Sequence, residues 1–321
     1  MVGSATKVTV FGGTGFLGRY VVRQLAAEGK VVTVAVRHPE EGLYLKTAGN
    51  VGQVVLRRTD LLHPGSVAAA LAGADEVVNL VGILYETGRY GFDAVQRDGA
   101  AHVAEAAARA NVRRLVHVSA IGADLRSPAA YARSKAGGER AIREAFPEAT
   151  ILRPSILVGP EDDFFNRFAL MAQFLPALPL IGGGHTKFQP VYVGDVADAV
   201  SAALADPAAR GRIYELGGPN TYTFTELMRL VLRWTRRRRF LVPVPYRLAR
   251  IMAFFAEFLP VPPLTRDQVE LLKSDNVASP GSPGLKELGL TANAIEGFVP
   301  AYLARYRRGG GNAERLGRAA D

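Results

Sequence analysis

The stretch Phe11-Gly12-Gly13-Thr14-Gly15-Phe16-Leu17-Gly18 decides the fold. It follows a short apolar run at 8–11 and leads into an amphipathic segment at 16–27. Glycines at this spacing suit a tight turn, a close approach of backbone to a diphosphate, and close packing of helix on strand. The amide groups that open a helix also attract anions. A plain tight turn is the alternative, but the flanking strand and helix favour a dinucleotide site. The predicted contact residues are Gly12, Thr14, Gly15, Phe16, Leu17 and Gly18.

The first half of the chain alternates short apolar runs with helical patterns. Strands are predicted at 8–11, 31–36, 54–56, 77–81, 115–118 and 150–152. Helices are predicted at 16–27, 67–71, 94–110 and 130–145. Most of the strands are continuously apolar, as in a parallel sheet that is covered on both faces. Strands separated by helices predict an α/β protein with a doubly wound parallel Rossmann sheet.

After Pro154 the amino-acid composition changes, and Gly and Pro become frequent. Apolar runs at 191–193 and 213–216, with a helix at 195–205, predict a return to the sheet. Helical patterns at 223–235, 246–259, 265–272 and 294–306 predict a smaller, mainly helical C-terminal part. We therefore assign 1–155 to the dinucleotide-binding domain, with returning segments at about 189–217. The C-terminal part takes 156–188 and 218–306, and the Gly- and Arg-rich tail at 307–321 is expected to be disordered.

Composition excludes several chemistries. The 321 residues are 48% hydrophobic and 21% charged, which is typical of a globular protein. The chain has no cysteine, so disulfides, thiolate catalysis, and cysteine-bound zinc or iron–sulfur clusters are excluded. No metal site is predicted. No secretory signal and no apolar run of about 18 residues is present, so we expect a cytoplasmic location without a transmembrane segment.

The end of the second strand indicates which dinucleotide is bound. An NAD site usually has Asp or Glu about 20 residues beyond the glycine turn, where it bonds the ribose 2′-hydroxyl. Here the strand is followed by Arg37. A guanidinium can bind a 2′-phosphate through paired hydrogen bonds, so Arg37 favours NADP(H), and Arg19 is a candidate second contact. The alternative for Arg37 is a solvated strand end.

Nearby carboxylates keep other interpretations open. Glu40 and Glu41 follow the second strand closely enough that NAD is not excluded. Asp60 follows the third strand, where it is placed to meet the adenine edge. The alternative for Asp60 is a helix cap for the segment around Pro64.

Tyr131 and Lys135 form a Tyr-x-x-x-Lys pair on a predicted helix. Residues four apart share a helix face, and an ammonium beside a phenol lowers the tyrosine pKa toward a usable acid or base. Lys135 could also bond the nicotinamide ribose. Ser119, at the end of the fifth strand, could orient a substrate carbonyl. We name Tyr131, Lys135 and Ser119 as candidate catalytic and cofactor residues; a surface Tyr and Lys are the alternative.

The net charge of +9 is concentrated in one C-terminal segment that contains no Asp or Glu. Its arginines are Arg229, Arg233, Arg236, Arg237, Arg238, Arg239, Arg247 and Arg250. Arginines beside apolar and aromatic residues suit anionic lipid headgroups or an acidic protein surface. A core stripe with a solvated basic face is an equal alternative. Nucleic acid is not expected, because no recognised nucleic-acid module accompanies the charge.

Further motifs extend over 7–270. They are the glycine turn, VNLVGIL at 78–84, YARSK at 131–135 with Gly138-Glu139, LRPS at 152–155, VGPED at 158–162, KFQPVYVGDVA at 187–197 and TRDQV at 265–269. The chain thereby resembles the short-chain dehydrogenase/reductase superfamily, in its extended or atypical branch. More narrowly, it resembles the NADPH-binding accessory subunits of respiratory complex I, of the alpha-subcomplex subunit 9 type.

The resemblance implies a tightly held NADPH in a subunit that serves assembly or stability near the quinone end of the complex. It implies other subunits of complex I as partners, and a peripheral position on the cytoplasmic side of the inner membrane. Gly12, Gly15, Gly18 and Arg37 match cofactor residues, and Tyr131 and Lys135 match the superfamily's catalytic pair. Within the matching motifs we also assign cofactor contacts to Leu80, Val81, Gly82 and Pro154.

Two other functions remain open at this point. One is a free NADPH-dependent reductase or epimerase that uses Tyr131 and Lys135 on a small molecule. The other is an NADP(H)-sensing regulatory protein without chemistry of its own. The sequence leaves open whether the chain turns over any substrate, and it carries no substrate signature.

Overall fold

The predicted strand, glycine turn and first helix all form in the structure, a computed structural model that describes residues 5–310. The strands are β1 (Lys7–Phe11), β2 (Val31–Val36), β3 (Val54–Arg58), β4 (Glu76–Asn79), β5 (Arg114–Val118), β6 (Thr150–Pro154), β7 (Leu157–Val158), β8 (Ala177–Ile181), β9 (Lys187–Phe188), β10 (Val191–Tyr192), β11 (Ile213–Leu216), β12 (Tyr222–Thr223) and β13 (Phe240–Val244).

The helices follow the same chain order. They are α1 (Phe16–Ala27), α2 (Pro64–Ala70), α3 (Gly99–Arg109), α4 (Ala130–Ala145), α5 (Phe164–Phe174), α6 (Val193–Ala205), α7 (Phe224–Trp234), α8 (Tyr246–Ala256), α9 (Arg266–Leu271) and α10 (Val299–Leu303). A π-helical segment, Asp93–Asp98, leads directly into α3. The 3₁₀ segments are Pro39–Ala48, Gly182–Gly184, Pro207–Ala209, Lys286–Leu288, Ile295–Gly297 and Ala304–Tyr306.

Seven strands form one parallel sheet in the order β11-β6-β5-β4-β1-β2-β3. The predicted doubly wound parallel sheet is therefore confirmed. Its inner strands are apolar on both faces because helices cover both sides, and Val8, Val10 and Phe11 of β1 are all at most 1% exposed. From β1 the chain proceeds to β2 and β3 on one side and to β4, β5 and β6 on the other. The strand order thus reverses between β1 and β4.

The chain divides into two compact units. Unit 1 holds the chain up to Pro154 together with Val193–Leu216 and Ala278–Thr291. Unit 2 holds Ser155–Tyr192, Gly217–Val277 and the described residues from Ala292 to 310. Among residues 5–310, no helix is both long enough and apolar enough to cross a membrane.

The structure changes some of the boundaries expected from the sequence. Ala278–Thr291 was assigned to the C-terminal part but belongs to unit 1, where the Glu215 carboxylate accepts a hydrogen bond from the Ser279 N–H at 2.7 Å. The apolar run at 191–193 does not return to the sheet, because Val191–Tyr192 pairs with Leu157–Val158 in a separate two-stranded sheet. Most of the tail predicted at 307–321 lies outside the described residues.

Unit 2 contains elements that the sequence analysis missed. Helix α5 was left unassigned although its sequence is mostly apolar, and strands β8 and β13 are short apolar runs that each contain a proline. Strands β8 and β13 pair in parallel, so each supplies the backbone partner that its own sequence does not reveal. The core of unit 2 is aromatic, with Phe165, Phe188, Phe224 and Trp234 among its buried side chains. Pairing between two segments that are distant in the sequence therefore decides the two strands.

Candidate functional site

The glycine turn lies where the strand order reverses. The turn follows β1, and the loop at Leu80 and Val81 follows the neighbouring β4. The Leu80 N–H donates to Phe11 O at 3.0 Å, and a Cβ atom added to Gly12 would lie 3.2 Å from the Leu80 carbonyl carbon and from Val81. In open α/β sheets this crevice at the carboxyl ends of the strands is the place where ligands bind.

At two positions of the turn, steric constraints require a glycine. Gly12 adopts a φ of +78°, a conformation that other residues resist. A Cβ atom at Gly18 would lie 2.2 Å from Gly12 O and 2.6 Å from the Gly13 backbone. The start of α1 therefore packs on the turn at a distance that excludes any side chain at position 18.

The first turn of α1 offers amide groups to a ligand. Gly15 is the N-cap of the helix, and no described side chain caps this end. The N–H groups of the first helical turn have no partners within a helix, and the helix dipole adds positive potential there. The Gly15 N–H itself closes the turn on Gly12 O at 3.1 Å. An anionic group such as a diphosphate fits the remaining donors.

At the end of β2, Arg37 stacks on an aromatic ring. Its guanidinium carbon lies 4.4 Å from the ring centroid of Tyr90, and Arg89 contacts the same ring at 5.1 Å. A guanidinium on an aromatic face is held by cation–π attraction while its N–H donors stay available at the ring edge. The arrangement gives Arg37 a defined position at the end of β2.

Asp60 is tied into the same cluster. Its carboxylate accepts hydrogen bonds from the Leu62 N–H at 3.0 Å, from Arg89 at 2.8 Å and from the Tyr90 hydroxyl at 3.1 Å. Burial would raise the pKa of Asp60, but these three donors outweigh it and lower the pKa below its ordinary value. Asp60 stays ionised and positions Tyr90, and through Tyr90 the stacked Arg37.

A second arginine and tyrosine flank the glycine turn. The Arg19 guanidinium carbon lies 5.6 Å from the ring centroid of Tyr44, whose hydroxyl donates to Thr14 O at 3.0 Å. Tyr44 belongs to the 3₁₀ segment Pro39–Ala48, and Gly42 of this segment approaches the Thr14 side chain. The turn is thus held from outside as well as by its own glycines.

The carboxyl ends of β4 and β5 bring together buried polar groups. The Lys135 Nζ donates to Val118 O at 3.3 Å, and a Cβ atom at Gly82 would lie 3.0 Å from that Nζ and 3.7 Å from Gln96 Oε1. Ser119 Oγ and Gln96 Oε1 are buried without a hydrogen-bond partner among residues 5–310. Buried polar atoms normally have partners, so this edge fits a polar ligand such as a ribose or a carboxamide.

Burial sets the charge behaviour of two groups beside this edge. Burial lowers the pKa of Lys135 to about 8, although the Glu139 carboxylate opposes the shift. Burial and the nearby Lys135 lower the pKa of His117 to about 3. His117 is therefore neutral at neutral pH, and Lys135 can lose its proton within the range where an acid–base group works.

The remaining predicted residues lie around the same edge. Tyr131 lies in the first turn of α4, one turn before Lys135, and its ring contacts Phe92 edge-on with the ring centroids 5.9 Å apart. Pro154 ends β6, where its carbonyl accepts a hydrogen bond from the Ile121 N–H at 3.1 Å. Ser119 follows β5, and its N–H donates to Leu152 O of β6 at 2.7 Å.

Sequence reasoning missed Gln96, Tyr44 and Tyr90. Gln96 lies in the π-helical segment, where Gly138 of α4 allows a close approach: a Cβ atom there would lie 2.1 Å from Gln96 O. A polar residue inside a predicted helix beside Val95 was the available signal for Gln96. Tyr44 lies in the 3₁₀ segment Pro39–Ala48 and Tyr90 in a loop, and no sequence pattern identifies the arginines that stack on them.

Comparisons with known proteins agree with this geometry. The profile of the NAD(P)H-binding family matches residues 12–207. The chain is 39% identical over 325 residues to NADH dehydrogenase (ubiquinone) 1 alpha subcomplex subunit 9, mitochondrial, of Arabidopsis thaliana, covering 96% of this chain and 80% of that protein. It is 36% identical over 300 residues to the NADH-ubiquinone oxidoreductase 40 kDa subunit, mitochondrial, of Neurospora crassa, covering 93% and 79%.

A solved structure shares the fold. The triphenylmethane reductase of Citrobacter sp. superimposes with a TM-score of 0.75 at 21% identity, covering 92% of this chain and 99% of that one.

Proposed function

The chain belongs to the NAD(P)H-binding family and to the family of alpha subcomplex subunit 9 proteins of NADH dehydrogenase, and from this premise we propose that it is an NADP(H)-holding accessory subunit of respiratory complex I. In this role the chain serves assembly or stability near the quinone-binding region of the complex, with other complex I subunits as its partners. It is peripheral to the membrane.

One observation carries the nucleotide assignment. The uncapped start of α1 and the glycine turn lie at the reversal of the strand order, and Arg37 is stacked on Tyr90 at the end of the adjacent strand β2. The first feature suits a diphosphate, and the second suits the extra phosphate of NADP(H) rather than the free hydroxyl of NAD.

The residues at the β4 and β5 ends fit the other half of the molecule. Gly82 leaves room beside Lys135. Ser119 Oγ and Gln96 Oε1, which have no partner within 5–310, offer one group that can donate or accept and one acceptor. NADP(H) carries a nicotinamide that can transfer a hydride. In an accessory role, the binding energy itself is what matters: a nucleotide at 100 times its Kd stabilises the folded state by about 2.7 kcal/mol.

The first experiment identifies the nucleotide. We expect the purified chain to release NADP(H) on denaturation, and added NADPH to raise the Tm of stripped protein more than NADH does. Arg37→Gln removes a charge-assisted contact worth roughly 1.5–3 kcal/mol, which is about 10- to 150-fold in Kd for NADPH, and should leave NADH within about threefold. The matched control is Arg109→Gln on the exposed end of α3. Equal losses for both nucleotides would contradict a 2′-phosphate contact at Arg37.

The second experiment tests the complex. In native gels of membrane extracts, the chain should migrate with the assembled NADH dehydrogenase, and a strain that lacks the chain should hold less of that assembly. A chain found only at the size of a free monomer would contradict the accessory role, whatever the nucleotide result.

A reductase or epimerase is the second candidate, and one observation favours it. Burial lowers the pKa of Lys135. Ser119 follows β5, and its Oγ has no hydrogen-bond partner among the described residues. Together with Tyr131 they would form an acid–base set that acts on a carbonyl or hydroxyl. Tyr131→Phe removes the phenolic proton with little change in volume. An unchanged level of assembled complex in the Tyr131→Phe strain favours the accessory role, whereas lost function with normal NADPH binding favours catalysis.

A further inference from the structure

Unit 2 exposes an unusual amount of large apolar surface. Thirteen of the nineteen large apolar side chains that are exposed among the described residues lie in 170–175 or 240–261. Single exposed apolar residues are normal on protein surfaces, but a concentration in one segment marks an interaction site. The densest part is α8 with the turn that follows it.

Helix α8 is amphipathic, but its large apolar side chains point away from the protein. Its only buried residues are Ala249 and Ala253, which are four positions apart and form a narrow, small-residue stripe. The exposed residues Leu248, Ile251, Met252 and Phe255 follow at spacings of three, four and seven, on the opposite side of the helix. Phe254, Phe258, Leu259 and Val261 extend this surface, which we call the α8 apolar face.

The charge along α8 itself is positive. Arg247 and Arg250 are exposed on the same helix, and no acidic residue occurs from Leu227 to Ala256. The next acid, Glu257, pairs with Arg266 at 2.8 Å, so it adds no free negative charge. The Arg266 guanidinium also lies over the Phe254 ring at 5.3 Å. Apolar side chains bordered by exposed arginines complement the acyl and headgroup layers of an anionic membrane.

Helices α7 and α8 of the basic segment differ in whether their large apolar side chains are buried. In α7, the large apolar residues Leu227, Met228, Val231 and Trp234 are buried, so Arg229 and Arg233 are a solvated face over a core stripe. The solvated-face interpretation therefore fits α7, whereas α8, like Phe240 and Val242 of β13, exposes large apolar side chains that a lipid layer can receive.

We infer that the α8 apolar face docks on an anionic lipid bilayer, with α8 lying in the plane of the interface and Phe255 and Phe258 entering the acyl boundary while Arg247 and Arg250 contact headgroup phosphates. This contact supplies a peripheral membrane attachment that does not use the nucleotide site of unit 1. It holds or fails independently of the proposed NADP(H) function.

The test is vesicle flotation of the purified full chain, with NADPH present. Vesicles of phosphatidylglycerol and phosphatidylcholine should bind the wild-type chain at least tenfold more tightly than vesicles of phosphatidylcholine alone. Phe255→Ser with Phe258→Ser should weaken the binding at least tenfold. Arg247→Glu with Arg250→Glu should reduce it to the phosphatidylcholine level, and 0.5 M salt should weaken the wild type but not this variant.

Two double variants serve as matched controls in unit 1, at exposed positions of the same character. Val51→Ser with Leu125→Ser, and Arg109→Glu with Arg126→Glu, should bind vesicles like the wild type. All variants should unfold in urea at the wild-type midpoint, which shows that they fold. The inference is overturned if the wild type does not float with anionic vesicles, or if the control variants lose as much binding as the α8 variants.

A second copy of the chain is the competing occupant. If sedimentation velocity shows a wild-type dimer that the Phe255→Ser, Phe258→Ser variant loses, the face is a protein interface and the lipid assignment is overturned. A monomeric wild type that floats with anionic vesicles supports the lipid assignment.

Discussion

Within residues 5–310, unit 1 and unit 2 differ in which groups lack a partner: polar atoms in unit 1 and large apolar side chains in unit 2. At the β4 and β5 ends, unit 1 buries the polar atoms Ser119 Oγ and Gln96 Oε1 without partners among the described residues, and it leaves the start of α1 uncapped. Unit 2 satisfies its helix ends better, with a capping box at Thr223, but exposes the large apolar side chains of α8. A buried polar deficit calls for a small polar ligand, whereas an exposed apolar excess calls for a surface. Buried polar atoms in unit 1 therefore indicate a small polar ligand, and exposed apolar side chains in unit 2 indicate an extended surface as the partner.

The largest expected effect tests whether the exposed apolar surface contributes to folding. Leu227 of α7 is fully buried, and Leu248 of α8 is 50% exposed. Leu227→Ala removes packed methyl groups and leaves a cavity, so it should lower the free energy of unfolding by about 2–5 kcal/mol. Urea unfolding of the purified protein measures the loss.

Leu248→Ala is the matched control, because it makes the same chemical change on the neighbouring helix. It should change the free energy of unfolding by less than about 0.5 kcal/mol. Equal losses at the two positions would mean that α8 is packed against the protein, and the contrast between the two helices would be wrong.

The next effect concerns the buried ammonium group of Lys135 in unit 1. Burial lowers the pKa of Lys135 from its ordinary value of 10.5 to about 8. Between these two values the unfolded chain binds more protons than the folded chain, so folding stability rises with pH from about 8 to 10.5 and is lost again as pH falls. A shift of this size corresponds to roughly 3 kcal/mol.

Lys135→Met isolates this contribution, since methionine has a similar volume and no charge. Urea unfolding of nucleotide-free wild type and variant at several pH values between 8 and 10.5 should show wild type gaining stability on the variant across the window. Parallel pH curves for the two proteins would show that Lys135 titrates normally in the folded state. A constant offset between the curves does not matter, because only their difference in slope reports the pKa.

A smaller effect tests the shape of the glycine turn. Gly18→Ala places a Cβ atom 2.2 Å from Gly12 O, so the start of α1 must shift. We expect a loss of about 1–3 kcal/mol in folding free energy and loss of the Tm increase that NADPH produces. Gly65→Ala in α2 is the control, because a Cβ atom there meets nothing within 4 Å. If Gly18→Ala still gains Tm from NADPH as the wild type does, the turn does not hold the diphosphate.

The sequence predicted unit 1 better than unit 2 for a physical reason. The spacing of Gly12, Gly15 and Gly18 and the alternation of apolar strands with helices are local signals, and they were enough to predict the sheet that the structure contains. Gln96 could not be placed with them, since its position depends on the close approach of Gly138 from a distant helix. The sequence also does not predict which face of α8 is buried. It shows an apolar stripe, but it does not show which side of the helix packs on the rest of the protein.

The smallest effect sharpens the comparison between α7 and α8 themselves. The Thr223 Oγ1 accepts a hydrogen bond from the Glu226 N–H at 3.2 Å, and the Glu226 carboxylate accepts one from the Thr223 N–H at 2.7 Å. Helix α8 has Pro245 as its N-cap residue and has no side-chain cap among the described residues. Thr223→Ala should cost about 1 kcal/mol of folding free energy, while Thr223→Ser keeps the hydroxyl and should cost less.

Hydrogen exchange gives the matching measurement along both helices. Helix α7 is capped and packs its large side chains inward, so its amides should exchange more slowly than those of α8, which has neither advantage. Thr223→Ala should speed exchange in the first turn of α7 and leave α8 unchanged. Adding anionic vesicles should slow exchange in α8 alone, because burial of its apolar face supplies there the stabilisation that packing supplies in α7. Protection of α8 equal to that of α7 without vesicles would contradict the contrast between the two helices.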